Sequence, residues 1–136
     1  MKKLLLLLAV LLFGTISMSA QSTETGYVTV YWDDQCTNDC CSPMVYGACI
    51  TIERASDHAV IIQDLCATES QGDHHTFQFD FPCSSESEEF IVYATVRKGC
   101  LDPKTECCFG RNTGQTTTCE ELMNDECDID PPIVVN

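Results

Sequence analysis

The cysteine content of this chain restricts its fold more than any other feature. Eleven of the 136 residues are cysteine, and the first is Cys36. In a secreted chain this density is typical of a small domain that is stabilised by disulfides. Because eleven is odd, one cysteine must stay free or bond to a second molecule. The disulfide candidates are Cys36, Cys40, Cys41, Cys49, Cys66, Cys83, Cys100, Cys107, Cys108, Cys119 and Cys127.

Two pairs of cysteines are adjacent in sequence, Cys40-Cys41 and Cys107-Cys108. A bridge within such a pair closes a strained ring, so we expect each member to have a different partner. These bridges would tie the loop after the first strand, and the tail, to the rest of the molecule. Cys41 and Cys108 are the first choices for the unpaired thiol, and a bridge from it to a second chain would make a covalent dimer.

The amino terminus has the layout of a secretory signal peptide. Lys2 and Lys3 precede an apolar run over 4–13, and the small residues Ser17 and Ser19 follow. The run is too short for a membrane-spanning helix, which needs about 20 residues. We therefore expect export to the periplasm or the medium, with no membrane insertion once the leader is cleaved.

The charge of the chain excludes several classes of partner. Without the leader, five basic residues remain against 21 acidic ones, a net charge of −16. Nucleic acids and anionic membranes are bound through lysine and arginine, so neither is expected as a partner. A basic or calcium-bridged partner is the natural complement.

Five segments between residues 27 and 96 have the pattern of β-strands. The alternation is cleanest at 76–81, where three phenylalanines share one face and form the expected core. The run 59–62 is continuously apolar, which predicts a strand that is covered on both faces. No helical stretches separate the strands, so an antiparallel sandwich is favoured over a parallel sheet. The five segments are 27–32, 47–53, 59–62, 76–81 and 90–96.

From Gly99 onward the alternation is lost. Thr118 and Glu121 form a capping-box pattern, which predicts one short helix from about Cys119 to Asn124. Residues 133–135 could add a last edge strand.

The predicted organisation has three parts. A signal peptide over 1–20 precedes an all-β sandwich of about 5–7 strands over 21–98. A cysteine-rich tail over 99–136 then packs on the sandwich.

Several short motifs resemble those of transthyretin-like, carboxypeptidase-regulatory-like and collagen-adhesin-B-type sandwiches. The stretch 43–52 (PMVYGACITI) resembles their Pro-x-x-x-Gly-Ala-x-Val-x-Val segment, and 68–72 resembles their Thr-Asp-x-x-Gly turn. Phe77-x-Phe79 and residues 90–96 resemble the two strands that follow.

This resemblance covers about residues 26–98. It implies a sandwich fold and an accessory role in adhesion, stalk-building or binding at a carbohydrate surface, rather than catalysis. The leader is also similar to those of Bacteroidetes-type secreted proteins.

Metal binding is the alternative use for the cysteines. Structural zinc sites favour Cys-x2-4-Cys pairs; Cys36-x3-Cys40 has this spacing, but the sequence contains no second such pair. His74 and His75 are adjacent and point to opposite faces of a strand, so they do not chelate together. The sequence also lacks the Cys-x-x-Cys redox motif and the Gly-x-Ser-x-Gly nucleophile motif.

Acidic residues form three clusters, around 33–39, 86–89 and 125–130. Solvated charge is their ordinary role, and calcium binding is the alternative because Ca²⁺ takes several converging oxygen ligands. The candidate calcium ligands are Asp33, Asp34, Asp128 and Asp130. No other cofactor is expected.

Three functions remain open at this point. The first is a secreted, non-catalytic binding or structural module with a protein or carbohydrate partner, including a calcium-dependent adhesion module. The second is a small effector or inhibitor that displays a rigid disulfide-tethered loop around Phe109-Gly110-Arg111, with Arg111 as the binding residue. The third, an enzyme, is disfavoured because no catalytic constellation assembles.

Tyrosines outside the predicted core face could stack on a sugar or a protein, or lie under the tail: Tyr27, Tyr31, Tyr46 and Tyr93.

Overall fold

The computed structural model describes residues 21–38, 40–100 and 105–136. The predicted signal peptide lies outside the described residues, as does Asp39 of the first acidic cluster. Within the described residues, no helix is long and apolar enough to cross a membrane.

The described chain is all-β, which confirms the predicted fold class. Eight strands and one short helix are present, one strand more than the upper end of the expected range, because the tail adds three. The helix is α1 (Cys119–Met123). The strands are β1 (Ser22–Asp34), β2 (Met44–Arg54), β3 (Val60–Glu69), β4 (His74–Cys83), β5 (Glu89–Cys100), β6 (Glu106–Arg111), β7 (Gln115–Thr118) and β8 (Asp128–Val135).

The strands form two sheets. Sheet A has the order β4-β1-β8, and sheet B has the order β3-β2-β5-β6, with β7 also paired to β5. Every pair is antiparallel except β1 with β8. This parallel pair departs from the expectation of antiparallel pairing, and the chain reaches it by crossing from β7 in sheet B through α1 to the edge of sheet A.

The core lies between the two sheets and is built from the predicted strand faces. Phe81 packs edge to face on Phe90, with ring centroids 5.5 Å apart, and Phe79 packs on Phe81 at 5.8 Å. Burying one face of each sheet is the main source of stability for such a fold. The three predicted core phenylalanines are buried, as are the alternating residues on the inner faces of the neighbouring strands: Val28, Val30, Trp32, Ala48, Ile50, Ile52, Phe77, Phe79, Phe81, Phe90, Val92, Ala94 and Val96.

The apolar run 59–62 does not form a strand that is covered on both faces, so this prediction is wrong. It begins β3, which lies at the edge of sheet B with β2 as its partner, and Val60 is 51% exposed. The pairing register shifts twice near Ile52, which interrupts regular alternation along β3. In sequence, an apolar run in an irregular edge strand therefore looks the same as a strand that is buried on both faces.

The tail is part of the sandwich rather than a cover on it, because its strands complete both sheets. Gly110 allows β6 to approach β8 closely: a Cβ atom placed there would lie 2.2 Å from the carbonyl oxygen of Val134. The backbone amide of Phe109 also donates to the carbonyl of Asn136 at 3.3 Å. The predicted helix is confirmed, since both hydrogen bonds of the Thr118–Glu121 capping box are present.

Candidate functional site

Three disulfides join one short loop to the neighbouring ends of β5 and β6. They are Cys36–Cys108, Cys40–Cys107 and Cys41–Cys100. We call this region the disulfide end; its described residues are 35–38, 40–43, 98–100 and 105–108. Each adjacent cysteine has a different partner, which confirms the prediction from ring strain. The pair Cys36-x3-Cys40, considered for zinc, is divided between two of these bridges.

The other two bridges lie elsewhere in the sandwich. Cys49 and Cys66 are directly opposite each other on β2 and β3, with Cα atoms 4.1 Å apart. Cys83, at the end of β4, is bonded to Cys119 at the start of α1. This bridge fixes the helix to sheet A.

The unpaired cysteine is Cys127, so the prediction of Cys41 or Cys108 is wrong. Both of those residues are bridged across the disulfide end, whereas Cys127, in the segment that joins α1 to β8, is unbridged and buried. Burial raises the pKa of the Cys127 thiol, and nearby Thr117 only partly offsets this effect. The acidic neighbours Glu126 and Asp128 give no hint of this burial in the sequence. The covalent dimer stays a prediction, and a bridge through this thiol would require its covering residues to move.

A polar cluster closes the core at the disulfide end. The Lys98 ammonium and the Tyr46 hydroxyl both donate to one oxygen of Asp34, at 2.7 and 2.6 Å. Trp32 packs on the Tyr46 ring with centroids 5.4 Å apart. Burial opposes ionisation of Asp34, but the hydrogen bonds from Lys98, Tyr46 and the Cys36 amide outweigh it and hold the Asp34 pKa below its ordinary value. Burial, together with the neighbouring carboxylate, raises the pKa of Tyr46 to about 12.

The four proposed calcium ligands do not lie together. Asp33 and Asp34 pair with Val134 and Val135 near the end of β8, whereas Asp128, at its start, is opposite Thr29. Four strand residues span about 13 Å, which is too far for one ion with ligands at about 2.4 Å. The Asp34 carboxylate is also engaged by Lys98. Asp130 lies close to Asp128 in sequence and not to the other pair.

A cleft of about 590 Å³ lies between β8 and the turn that joins β6 to β7. We call it the β6–β8 cleft. Its lining combines charged side chains, a glycine-containing turn and a proline pair. The lining residues are Arg111, Asn112, Thr113, Gly114, Gln115, Asp130, Pro131, Pro132, Ile133 and Val134.

Two side chains hold the walls of the β6–β8 cleft in place. The Asn112 amide accepts from the backbone of Ala94 at 2.8 Å and donates to Val92 at 3.1 Å, so it continues the pairing of β5. The Gln115 amide donates to the Asp128 carbonyl at 2.7 Å and accepts from the Asp130 amide at 3.1 Å. Each amide thus makes one donor and one acceptor bond to backbone, which fixes the two side chains in the walls of the cleft.

Arg111 lies at the end of β6, opposite Thr95 of β5, and not in a loop. The prediction of a displayed loop at 109–111 is therefore wrong, because Gly110 is used for close strand packing and not for a turn. Arg111 is nevertheless exposed on the wall of the cleft. Of the described salt bridges, those of arginine and lysine involve only Arg54 and Lys98, so Arg111 forms no salt bridge within the described residues.

Exposed apolar side chains lie beside this cation. Phe109 is 41% exposed two residues before Arg111 on the same face of β6, and Val134 on the cleft wall is 42% exposed. These are two of the three large apolar side chains exposed in the described part of the chain; the third is Val60 at the opposite edge of sheet B. The sequence identified Arg111 as a candidate binding residue, but it could not show that β8 would lie beside this residue.

The tyrosines do not form one exposed cluster. Tyr27 and Tyr31 lie on the outer face of sheet A, where Tyr31 packs on His74 with centroids 5.4 Å apart. Tyr46 lies in the polar cluster at the disulfide end, and Tyr93 is on sheet B next to Gly114.

The three histidines are each next to a carboxylate, and in the described part of the chain none contacts a serine or cysteine side chain. His58 lies 3.5 Å from Glu53, and His74 lies 2.8 Å from Asp73. His75, at the start of β4, pairs with Glu69. The described residues thus bring together no Ser-His or Cys-His nucleophile pair.

Comparison with known proteins found no matching family model, no matching curated protein and no matching solved structure. The motifs that resemble transthyretin-like domains do lie in β2, β4 and β5 and in the turn after β3. Membership of that family stays a prediction.

Proposed function

We propose that this chain is a secreted, non-catalytic binding module that engages a protein partner through the β6–β8 cleft. The observation that carries the proposal is that Arg111 and the exposed Val134 line one cleft, with the exposed Phe109 two residues before Arg111 on β6. Five disulfides, which persist in oxidising compartments, support a site of action outside the cytosol.

The side chains at this cleft are of the kind that contribute most to protein recognition. Arginine and large aromatic residues dominate the energetics of measured interfaces. The walls are held by Asn112 and Gln115, so binding would order few additional groups. A rigid site loses less conformational entropy on association, which favours affinity.

The charges define the chemistry of the partner. Arg111 offers two parallel donors to a carboxylate, and Asp130 on the other wall accepts from a basic group. The proline pair and Val134 would cover apolar side chains between these two charges. The large negative charge of the chain outside the cleft favours a partner with net positive charge, because it speeds their encounter.

To test the proposal, the wild-type protein and three variants are each immobilised and incubated with the native extracellular fluid. The proteins that each one captures are then compared. Arg111→Glu and Val134→Ser alter the cleft, and Val60→Ser changes the matched exposed residue at the other edge. Chemical cross-linking with mass spectrometry identifies the captured chains and the residues in contact. We expect one protein to be cross-linked near residues 109–115. The amount captured should fall at least about 10-fold with each cleft variant and should be unchanged with Val60→Ser.

Equal capture by all four proteins would contradict the proposal, as would capture of a polysaccharide in place of a protein. Circular dichroism on each variant shows whether the fold is intact before capture is compared.

A second candidate function, an effector or inhibitor, is favoured by the loop at the disulfide end. Three of its residues are bridged within a span of six, and Thr37 and Asn38 between them are exposed. Loops fixed in this way lose little entropy when they bind. If this loop is the recognition element, the double variant Thr37→Ala/Asn38→Ala loses the partner, whereas Arg111→Glu retains it.

A further inference from the structure

Two disulfides at the disulfide end lie side by side, so that four cysteine sulfurs are close together. The Cys40 Sγ is 4.0 Å from the Cys100 Sγ, although these atoms belong to different bridges. The sulfurs of Cys40, Cys41 and Cys100 all lie within 4.8 Å of one another. The fourth sulfur is that of Cys107, bonded to Cys40, and the Met44 thioether is 3.9 Å from it.

The separation between the Cys40 and Cys100 sulfurs is that of neighbouring ligands in a metal–thiolate centre. In a tetrahedral site with metal–sulfur distances of about 2.3 Å, neighbouring sulfurs are about 3.8 Å apart. The contact between Cys40 and Cys100 already has this length. Within each bridge the sulfurs must separate from about 2 Å to about 3.8 Å, a change that side-chain rotation can supply.

The same two bridges are open to solvent. Cys40 is exposed and Cys41, Cys100 and Cys107 are half-buried, whereas Cys83 and Cys119 are 6% and 0% exposed. Accessible disulfides exchange with thiols more readily than buried ones, because the attacking thiolate must reach a sulfur. The cluster is therefore open to reduction under conditions that leave Cys83–Cys119 intact.

We propose that Cys40, Cys41, Cys100 and Cys107 form a redox-gated site for a soft or borderline d¹⁰ cation, such as Zn²⁺ or Cu⁺. Each bridge takes two electrons and two protons from a small dithiol, which becomes a cyclic disulfide, so two dithiols yield four thiols. Metal binding then displaces thiol protons to solvent as the metal–sulfur bonds form. Exchange of the four thiolates with two small cyclic disulfides restores both bridges and releases the cation, and the small disulfides take up two electrons and two protons each to become dithiols. This proposal is independent of the β6–β8 cleft.

Neighbouring structure would hold the four ligands in place after reduction. Met44 pairs with Cys100 between β2 and β5, and Lys98 pairs with Cys108 between β5 and β6. The bridge from Cys36 to Cys108 keeps the start of the loop attached to β6. The cysteines therefore stay near one another when the two outer bridges open.

The test titrates the mature protein with Cd²⁺, a d¹⁰ probe with a thiolate charge-transfer absorption, before and after mild reduction. A water-soluble phosphine serves as reductant: it takes oxygen from water to become the phosphine oxide, and the water protons go to the two thiolates. Native mass spectrometry counts bound cadmium. We expect one ion per reduced chain and none per oxidised chain.

Matched variants assign the ligands. Cys41→Ser/Cys100→Ser removes two of the four sulfurs and is expected to weaken binding more than about 100-fold. Cys49→Ser/Cys66→Ser removes the other solvent-accessible bridge and is expected to leave binding unchanged. The far-ultraviolet circular dichroism of both reduced variants confirms that the sheets persist. Absence of cadmium from the reduced wild-type chain, or equal weakening in the two variants, would overturn the proposal.

Discussion

The two ends of the sandwich are closed by different kinds of interaction. At the disulfide end, three bridges and the ion pair between Lys98 and Asp34 hold the sheets together. At the opposite end, which we call the helix end (residues 79–90 and 117–123), one buried bridge belongs to the same apolar core as Phe81, Phe90 and Leu122. Apolar packing and covalent cross-links therefore serve the same structural role at the two ends of one small domain.

The difference has consequences for how each end responds to its surroundings. Packing at the helix end is insensitive to reductants that cannot reach the buried sulfurs of Cys83 and Cys119. The disulfide end depends on exposed sulfurs and on charges, so it responds to redox conditions and pH. We therefore expect the disulfide end to open first when conditions change.

The two largest effects are expected at the helix end, and the first of them comes from Phe81→Ala. Phe81 is 1% exposed and packs against two other phenylalanines, so its removal leaves a cavity. The free energy of unfolding should fall by about 4 kcal/mol, measured by urea denaturation of the oxidised protein. The exposed control Val60→Ala should change it by less than about 0.5 kcal/mol. Equal effects of the two changes would mean that packing does not support this end.

The second prediction compares bridges at the two ends. Cys83→Ala/Cys119→Ala opens a loop of 36 residues that no other bridge closes, and it should cost about 4 kcal/mol. Cys41→Ala/Cys100→Ala should cost only about 2 kcal/mol, because the bridge from Cys40 to Cys107 still closes nearly the same loop. Thermal unfolding of both variants checks this order. The reverse order would show that the bridges of the disulfide end are not redundant.

The third prediction concerns pH at the disulfide end. The pKa of Asp34 is lower in the folded than in the unfolded chain, so the ionised carboxylate stabilises the fold. This stabilisation is present above pH 3.8, the ordinary pKa of aspartate, and is lost as the pH falls below that value. Asp34→Asn should reduce stability at pH 7 by about 2 kcal/mol, since Lys98 is left without its partner at a partly buried site. Urea denaturation from pH 7 to pH 2 should show the difference between variant and wild type shrinking below pH 4.

The same cluster predicts an alkaline response. The pKa of Tyr46 is raised from its ordinary value of 10 to about 12. The neutral phenol therefore stabilises the fold fully below pH 10, and this stabilisation is lost as the pH rises from 10 to 12. Ultraviolet titration of Tyr46→Phe against wild type should assign this late phenol to Tyr46. An unchanged set of phenol titrations in the variant would exclude the assignment.

The smallest effect is expected from Thr118→Ala at the helix end. The Thr118 hydroxyl accepts from the Glu121 amide at 3.3 Å, and the Glu121 carboxylate accepts from the Thr118 amide at 2.8 Å. Loss of one capping bond should cost about 1 kcal/mol, measured by thermal unfolding. Thr118→Ser keeps the hydroxyl, so it should lose less than half of the stability that Thr118→Ala loses. A larger loss with serine would show that the capping hydrogen bond does not explain the effect.

Local patterns predicted much of the fold. The strict alternation at 76–81 and 90–96 identified buried faces, since one side of a strand must be covered in a sandwich. The capping box placed α1 within one residue, because both of its bonds are local. Ring strain likewise separated the partners of the adjacent cysteines at 40–41 and 107–108.

The features that sequence reasoning missed depend on long-range contacts. β8 pairs with β1 about a hundred residues away, and the use of Gly110 for strand packing is visible only beside Val134. The β6–β8 cleft arises from these two contacts, so only Arg111 could be named in advance. Cys127 is unpaired and buried, and its acidic neighbours give no signal of this burial in the sequence.

Disulfide mapping of the protein by mass spectrometry, without prior reduction, is the decisive measurement for this cross-linked sandwich. The account predicts five bridges within a single chain, with Cys36, Cys40 and Cys41 joined to Cys108, Cys107 and Cys100. Cys127 should be alkylated only after unfolding. A chain with most of its thiols reduced, or one in which Cys127 is bridged, would contradict the cross-linked sandwich described above.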